Sequence, residues 1–200
     1  MKEQLKATAR GLATIAVMPQ VVSYRIRARL VGADGALESS TQLLSLVPGI
    51  AGRYLRRAFL ARVLTGGCAA TATIEFGTLF SQAAARIDDN VYVGPRCHLG
   101  LVHLERDVLL AAGVHIPSGP HTHGTDLSLP IREQRGDRRL VRVGAGSWIG
   151  SNAVVLADVG RDVIIGAGAV VTQPIPDRVI ATGVPARVVR RRDAAEPIGA

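Results

Sequence analysis

An aliphatic or aromatic residue recurs about every six positions through the C-terminal two thirds of the chain. Glycine or alanine often follows it directly, as in Val93-Gly94 and Ile149-Gly150. Neither the roughly 3.6-residue period of a helix nor the alternation of an ordinary strand fits this spacing. A hexapeptide repeat predicts a parallel β-helix, because only stacked coils can bury the recurring residues. These residues are Ile74, Phe80, Ile87, Val93, Leu99, Leu104, Leu110, Ile116, Val143, Ile149, Val155, Ile165 and Val171.

The main alternative fold is a parallel sheet whose strands are joined by helices. Each such connection needs about a dozen or more residues. Residues 74–173 contain no helical segment of that kind, and the aromatic content of only 4% suits an interior of stacked aliphatic side chains. We therefore predict an all-β solenoid over this part of the chain.

The first 70 residues lack the repeat and are predicted to form a helical cap. The cap would cover the open end of the β-helix, which otherwise exposes a sheet edge and an apolar core. Residues 4–31 are predicted to form helical pieces broken at Pro19, and Gly32–Gly35 a turn. Ala51–Leu64 are predicted to form an amphipathic helix with arginines around its outer side. A basic amphipathic surface that rests on a membrane is a second interpretation, and both can hold.

The apolar stretch from Gly11 to Met18 superficially resembles a signal peptide, since basic residues precede it. No convincing small-residue cleavage site follows, however, and basic residues resume close behind. The stretch is also shorter than the roughly 20 residues that span a bilayer. We therefore expect a cytoplasmic protein, with peripheral contact at the inner face of the membrane if the cap binds there.

The formal net charge of +8 points to an anionic partner. Zinc-finger spacing, RNA-recognition aromatic motifs and basic heptads are missing from the sequence, which argues against nucleic acid. An anionic cofactor or a membrane surface accounts better for the charge. Cys68 and Cys97 are too few for a disulfide framework, and Cys97 occupies a small-residue position of the repeat where a packed thiol is expected.

A long interruption of the repeat marks the expected site of chemistry. The pattern stops at Ile116 and resumes in phase at Val143. The intervening loop, residues 117–140, is polar and charged and contains His121 and His123. Loops of this length in a compact domain are usually functional or disordered.

A metal site in this loop is a further interpretation. His121 and His123, with His115, Asp126 and Glu133 nearby in sequence, offer groups that zinc uses. His115 lies within a coil, however, and no metal-binding motif joins these residues. We therefore predict no metal site.

The stretch from VGAGSWIG, which begins at Val143, to ATGVPARVVR, which ends at Arg190, resembles a known signature. It is similar to the C-terminal signature of the left-handed β-helix acyltransferases, which include maltose, galactoside and Nod-factor O-acetyltransferases. The resemblance extends over residues 74–190. Residues 1–70 and the SGPHTHG segment look more like members that modify polysaccharide or lipopolysaccharide. The resemblance implies a left-handed coil, a homotrimer, acetyl-CoA as donor and an active site between neighbouring subunits.

The resemblance also implies a catalytic histidine on a loop, five positions after the aliphatic residue that ends a coil. Counted from Ile116, that residue is His121. Proline commonly follows the family's histidine, whereas Thr122 follows here, so His123 competes for the role. An imidazole suits the task because its pKa lies near neutrality. A backbone N–H group or the Ser118 hydroxyl would stabilise the oxyanion, and Asp126 or Glu133 would orient the imidazole.

The cofactor positions are likewise carried over from the resemblance. The basic residues among these positions suit the phosphates of coenzyme A. Lysine is frequent in the family where Gln173 stands, so a phosphate contact at that position is open. The implied cofactor-binding residues are Trp148, Ser151, Ala167, Thr172, Gln173, Arg187 and Arg190.

Together these features predict a cap over residues 1–70, an acyltransferase domain over 71–190 and a basic, polar tail over 191–200. The predicted activity is acetyl-CoA-dependent O-acetylation of a sugar, a glycan or a lipid-linked saccharide. A non-catalytic β-helix for binding or assembly remains an alternative, because fold alone does not determine activity. A second alternative is the same acetyl transfer to an antibiotic or amino-sugar acceptor.

Overall fold

A computed structural model describes residues 2–192, in which four helices precede fifteen short strands. The helices are α1 (Lys2–Ala16), α2 (Met18–Val31), α3 (Ala33–Ser45) and α4 (Gly49–Val63). The strands are β1 (Thr73–Ile74), β2 (Leu79–Phe80), β3 (Arg86–Ile87), β4 (Tyr92–Val93), β5 (His98–Leu99), β6 (Val102–Leu104), β7 (Leu109–Leu110), β8 (His115–Ile116), β9 (Val141–Val143), β10 (Trp148–Ile149), β11 (Val154–Val155), β12 (Ile164–Ile165), β13 (Val170–Val171), β14 (Val179–Thr182) and β15 (Arg187–Arg191).

The strands wind into three parallel sheets, which form the flat faces of a solenoid. The first face contains β1, β4, β7, β10, β12 and β14; the second contains β2, β5, β8, β11 and β13; the third contains β3, β6 and β9. Successive coils pair in register, so that Ile74 lies opposite Val93, and Val93 opposite Leu110. Single bridges at Val159 and Ile175 extend the third face. The predicted left-handed parallel β-helix with an N-terminal helical cap is confirmed.

The hexapeptide pattern works because one residue of each short strand points inward and its neighbour points outward. Ile74, Leu110 and Ile149 of the first face are fully buried. Close contact between coils explains the small residue after each inward position. A Cβ atom on Gly94 would lie 2.7 Å from the carbonyl carbon of Ala111 in the next coil.

Within the described residues the cap contains four helices, one more than the sequence predicted. Pro19 does not break a helix but lies in the first turn of α2, where a missing N–H group costs nothing. The break between α1 and α2 falls at Val17. The predicted turn Gly32–Gly35 is wrong beyond its first residue, because α3 begins at Ala33 directly after Gly32 with its φ of +85°.

Arg56 joins the cap to the first coil. We expected the arginines of α4 on its outer side, but Arg56 is only 3% exposed. Its Nε donates to the carbonyl of Ile74 at 2.9 Å. Its Nη1 donates to the carbonyls of Leu44 at 3.1 Å and Val47 at 2.7 Å. One guanidinium therefore ties α4, the turn after α3 and β1 together.

Helix α3 fastens the cap to the second face. The Thr41 hydroxyl donates to the carbonyl of Phe80 at 3.3 Å and accepts the Phe80 N–H group at 3.2 Å. The Asp34 carboxylate accepts the N–H group of Ala83 at 2.8 Å. These contacts satisfy backbone groups of the first coil that have no preceding coil to pair with.

The C-terminal end is closed by a reversal of chain direction. Strand β15 pairs antiparallel with β14, which places Arg187 opposite Thr182 and Arg190 opposite Ile180. The predicted tail begins too early, since β15 runs to Arg191 and Arg192 donates to the carbonyl of Asp162. Residues 193–200 of that tail lie outside the described residues.

The helices of residues 2–192 include none with both the length and the apolar character needed to cross a membrane.

Candidate active site

The loop of residues 117–140 leaves the solenoid at one corner and returns to it by a short stem. It follows β8 on the second face and precedes β9 on the third. The carbonyl of Ser118 accepts the N–H group of Arg139 at 3.0 Å, and the carbonyl of His121 accepts that of Asp137 at 2.6 Å. The stem therefore holds the backbone of His121 in place.

Ser118 anchors the base of this stem. Its side chain is 3% exposed, and its hydroxyl accepts the N–H group of Leu101 at 2.7 Å. Leu101 belongs to the preceding coil, so this bond fixes the start of the loop on the solenoid. The hydroxyl that we considered for an oxyanion therefore has a structural partner.

The far end of the loop is organised around Gln134. Its side chain donates to the carbonyls of Asp126 and Leu129 and accepts the N–H group of Asp126. The Asp126 carboxylate in turn accepts the N–H and hydroxyl groups of Ser128, which lower the pKa of Asp126. Glu133 lies 3.7 Å from Arg132. These contacts engage both carboxylates proposed to orient the imidazole, Asp126 with Ser128 and Glu133 with Arg132.

The two candidate bases occupy different positions. Both His121 and His123 are exposed. His123 lines a cavity of about 520 Å³ between the loop, the second face and the start of α3. His121 is not among the residues that line this cavity. Asp34 and Glu38 bring carboxylates from the cap to its wall.

A stacked pair of histidines forms the floor of the same cavity. His98 and His115 lie opposite each other on β5 and β8, and their rings are parallel within 8° with centroids 5.0 Å apart. Desolvation lowers the pKa of His115, and repulsion from His98 lowers it further. This pair was not predicted from the sequence; the equivalent places of His98 and His115 in successive coils are the signal that would have found it.

His103 and the cysteines have structural partners instead. The Nε2 atom of His103 lies 2.8 Å from Oδ2 of Asp88 on the third face. The Cys97 thiol donates to the carbonyl of Ala111, and burial raises its pKa to about 11. Burial likewise raises the pKa of Cys68 to about 12. Within residues 2–192 no group of three or more His, Cys, Asp or Glu side chains is arranged to hold a metal ion.

Four of the implied cofactor residues fall at two corners of the solenoid. Trp148 projects outward from β10 and is 47% exposed. Ser151 and Ala167 occupy the same corner in successive coils, where the Ser151 carbonyl accepts the N–H group of Gly168 at 2.8 Å. Thr172 and Gln173 instead follow β13 at the corner between the second and third faces.

The arginines of the implied cofactor set lie on the closing strand. All five residues of β15, including Arg187 and Arg190, are exposed. The turn before β15 packs on the last coil, because the Ala186 N–H group donates to the carbonyl of Val170 at 2.8 Å. This turn therefore lies beside the corner of Ser151 and Ala167, whereas Gln173 is on another corner.

Residues 140–173 match the family model described as the hexapeptide repeat of succinyl-transferase. An Escherichia coli O-acetyl transferase assigned to lipopolysaccharide biosynthesis, WbbJ, is 28% identical over 125 residues, which are 56% of this chain and 63% of that protein. The chain spans between 30% and 63% of the length of such curated relatives. The resemblance to the hexapeptide-repeat acyltransferases is confirmed.

Solved structures share the fold. A maltose O-acetyltransferase from Clostridium difficile superposes with a TM-score of 0.67 at 21% identity, covering 79% of this chain and 87% of that one. AntD, an N-acyltransferase from Bacillus cereus solved with dTDP and 3-hydroxybutyryl-CoA, superposes with a TM-score of 0.51 at 14% identity, covering 61% and 70%. At these identities the likeness concerns the fold.

The His98–His115 stack predicts an unusual titration. Because the folded pKa of His115 is below the unfolded value, its contribution to stability is full above about pH 6.5 and is lost as pH falls through the folded pKa. We expect His98→Asn to raise the pKa of His115 only partly, since desolvation remains. NMR titration of the imidazole C–H signals measures this. A wild-type His115 that titrates at or above the value of free histidine would contradict it.

Proposed function

We propose that the protein is an acyl-CoA-dependent O-acetyltransferase with acetyl-CoA as donor. Its acceptor would be a hydroxyl group of a sugar, a glycan or a lipid-linked saccharide. The observation that carries the proposal is a hexapeptide solenoid interrupted once, at a corner, by a loop with two histidines beside a polar cavity. The names of the similar proteins support the acetyl group and the sugar acceptor.

The chemistry needs one general base. A loop imidazole removes the proton of the acceptor hydroxyl, and the oxygen attacks the thioester carbonyl of acetyl-CoA. The tetrahedral intermediate collapses with cleavage of the C–S bond, and the departing thiolate takes the proton from the imidazolium. The products are the acetyl ester and coenzyme A. Backbone N–H groups near the cleft would stabilise the intermediate's oxyanion.

An amino-sugar acceptor is the second candidate. The observation in its favour is the pair of carboxylates, Asp34 and Glu38, on the cavity wall. A protonated amine would be attracted to them. Comparing transfer to hydroxyl and amine acceptors of the same sugar distinguishes the two candidates.

The first test concerns the base, which we propose to be His121. The spacing from Ile116 supports His121, while His123 faces the cavity of its own chain. We expect His121→Ala to slow acetyl transfer by roughly 10²–10⁴-fold and to keep coenzyme A affinity, because the base does not hold the phosphates. Thiol release from acetyl-CoA with a panel of saccharide acceptors measures the rate, and calorimetry measures the affinity.

His123→Ala is the matched variant on the same loop, and a much smaller loss is expected. A greater loss in His123→Ala would assign the role to His123. Severe losses in both variants, together with inhibition of the wild type by chelators, would favour the metal interpretation. Unchanged transfer in both variants would remove the histidine mechanism.

The second test concerns the donor. We propose that Arg187 and Arg190 of β15 contact phosphates of coenzyme A, near the corner formed by Ser151 and Ala167. Charged hydrogen bonds contribute about 1.5–3 kcal/mol each, so Arg187→Ala and Arg190→Ala should weaken coenzyme A more than its dephosphorylated analogue. Arg142→Ala, an exposed arginine on the third face, is the control. Equal affinities in all three variants at low salt would place the phosphates elsewhere.

We further propose a homotrimer with an active site between neighbouring subunits. The exposed position of His121 at the stem suits a site completed by a second chain, and a single repeated interface closes into a ring. Sedimentation velocity should give the mass of three chains. A monomer that retains full acetyl transfer would contradict this proposal.

A further inference from the structure

A second cavity, here called the cap pocket, lies between the cap and the first coil. It has a volume of about 320 Å³. Lys6 and Arg10 of α1 and Arg53 and Arg57 of α4 line it, together with the chain at 70–73. None of the ten described residues that line it is acidic. The cap pocket therefore concentrates positive charge far along the chain from the histidine loop.

Arg57 is the buried cation of this pocket. Its side chain is 8% exposed, against the expectation that the arginines of α4 face outward. Its buried Nε has no hydrogen-bond partner among the described residues. Arg56, its neighbour in sequence, lies outside the pocket lining and donates its Nε and Nη1 to three backbone carbonyls, with only Nη2 left unpartnered among the described residues. A buried donor without a partner is unfavourable, so the Arg57 guanidinium calls for an acceptor other than the described residues.

Two carboxylates of the first coils have partners other than Arg57. Glu75 lies 2.8 Å from the Nε of Arg53, which forms an ion pair at the pocket's edge. Asp89 accepts the Thr71 hydroxyl at 2.8 Å. Neither of them supplies a partner to the Nε of Arg57. These two carboxylates therefore leave the positive charge of Arg10 and Arg57 available to a ligand.

We propose that the cap pocket binds a phosphate-bearing anion, with Arg10 and Arg57 as its principal charged contacts. Guanidinium groups suit phosphate because their planar fork of donors matches its oxygens. The Tyr54 side chain adds a further polar group to the wall. The volume fits a diphosphate or a small phosphate ester, since ligand pockets begin at about 300 Å³.

A soluble phosphate ester and a lipid phosphate headgroup share this chemistry. The cap exposes large apolar side chains next to the pocket's helices, and Ile50, which lines the pocket, is 69% exposed. Such a surface with basic residues is typical of contact with an anionic bilayer. The exposed apolar residues of α1 and α2 are Leu5, Leu12, Ile15, Met18, Val22, Ile26, Leu30 and Val31.

Calorimetry on the full chain at low salt tests the site with inorganic pyrophosphate. We expect Arg10→Gln and Arg57→Gln each to weaken binding by about tenfold or more, because each removes a charged hydrogen bond. Arg25→Gln, an exposed arginine of α2 outside the pocket, makes the same change in net charge and should leave the affinity unaltered. Should Arg57→Gln lower the melting temperature, Arg10→Gln alone decides, since Arg10 is only half-buried.

Wild-type protein that fails to bind pyrophosphate, or equal weakening in Arg25→Gln and Arg10→Gln, would overturn the proposal. Arg187→Ala should retain pyrophosphate binding at the cap pocket, so this result is independent of the proposed coenzyme A site. Flotation with phosphatidylcholine vesicles, with and without phosphatidic acid, separates the two sources. Flotation that requires phosphatidic acid and Arg10 supports a lipid phosphate. Pyrophosphate binding without flotation supports a soluble ester and limits the apolar surface to a structural cap.

Discussion

The inward stack of aliphatic side chains is the constraint on which the rest of the molecule depends. Each coil must offer its core residues at the height of the coil before it, as Ile74, Val93 and Leu110 do on the first face. A coil therefore cannot absorb extra residues within a strand without moving its side chains out of register. Extra chain can leave only at a corner, which is where residues 117–140 depart and return. The position of the candidate site follows from the packing of the core.

The same constraint arranges the outer surface. Residues that precede equivalent core positions lie above one another on a face, so His98 and His115 are stacked because Leu99 and Ile116 are. Desolvation and repulsion from His98 lower the pKa of His115, which favours the neutral form of its ring in the stack. A repeat thus brings the side chains at equivalent outward positions of successive coils together. Here it places two imidazole rings side by side in the lining of the cavity.

The cap follows different rules, and two adjacent arginines show this. Arg56 is buried with three carbonyl acceptors for its Nε and Nη1, and only its Nη2 lacks a partner among the described residues. Arg57 is buried with an unpartnered Nε on the wall of the cap pocket and, on our proposal, binds a ligand. Helical periodicity located α4 but put both arginines outside. For Arg56 the error arose because its burial depends on carbonyls from β1 and the turn after α3, which helical periodicity does not reveal.

The repeat, by contrast, could be predicted closely, since the inward residue of each hexapeptide is identified by its local spacing. The parallel β-helix, the corner at Ile116 and the packed Cys97 were all expected from residue spacing. Helix α3 and the His98–His115 pair were not, because the first depends on docking against Phe80 and the second on comparison between coils. The choice between His121 and His123 stays a prediction, as it concerns a loop whose site would include another chain.

Strand β15 has one more consequence. It ends the first sheet within the described residues and presents five exposed residues along an open edge. An open edge can recruit a strand from another molecule, and charged side chains discourage such aggregation. Arg187 and Arg190 would thus protect the folded chain from its neighbours as well as attract an anionic donor. Their neutral variants therefore need to be shown monodisperse before a loss of affinity is attributed to the donor site.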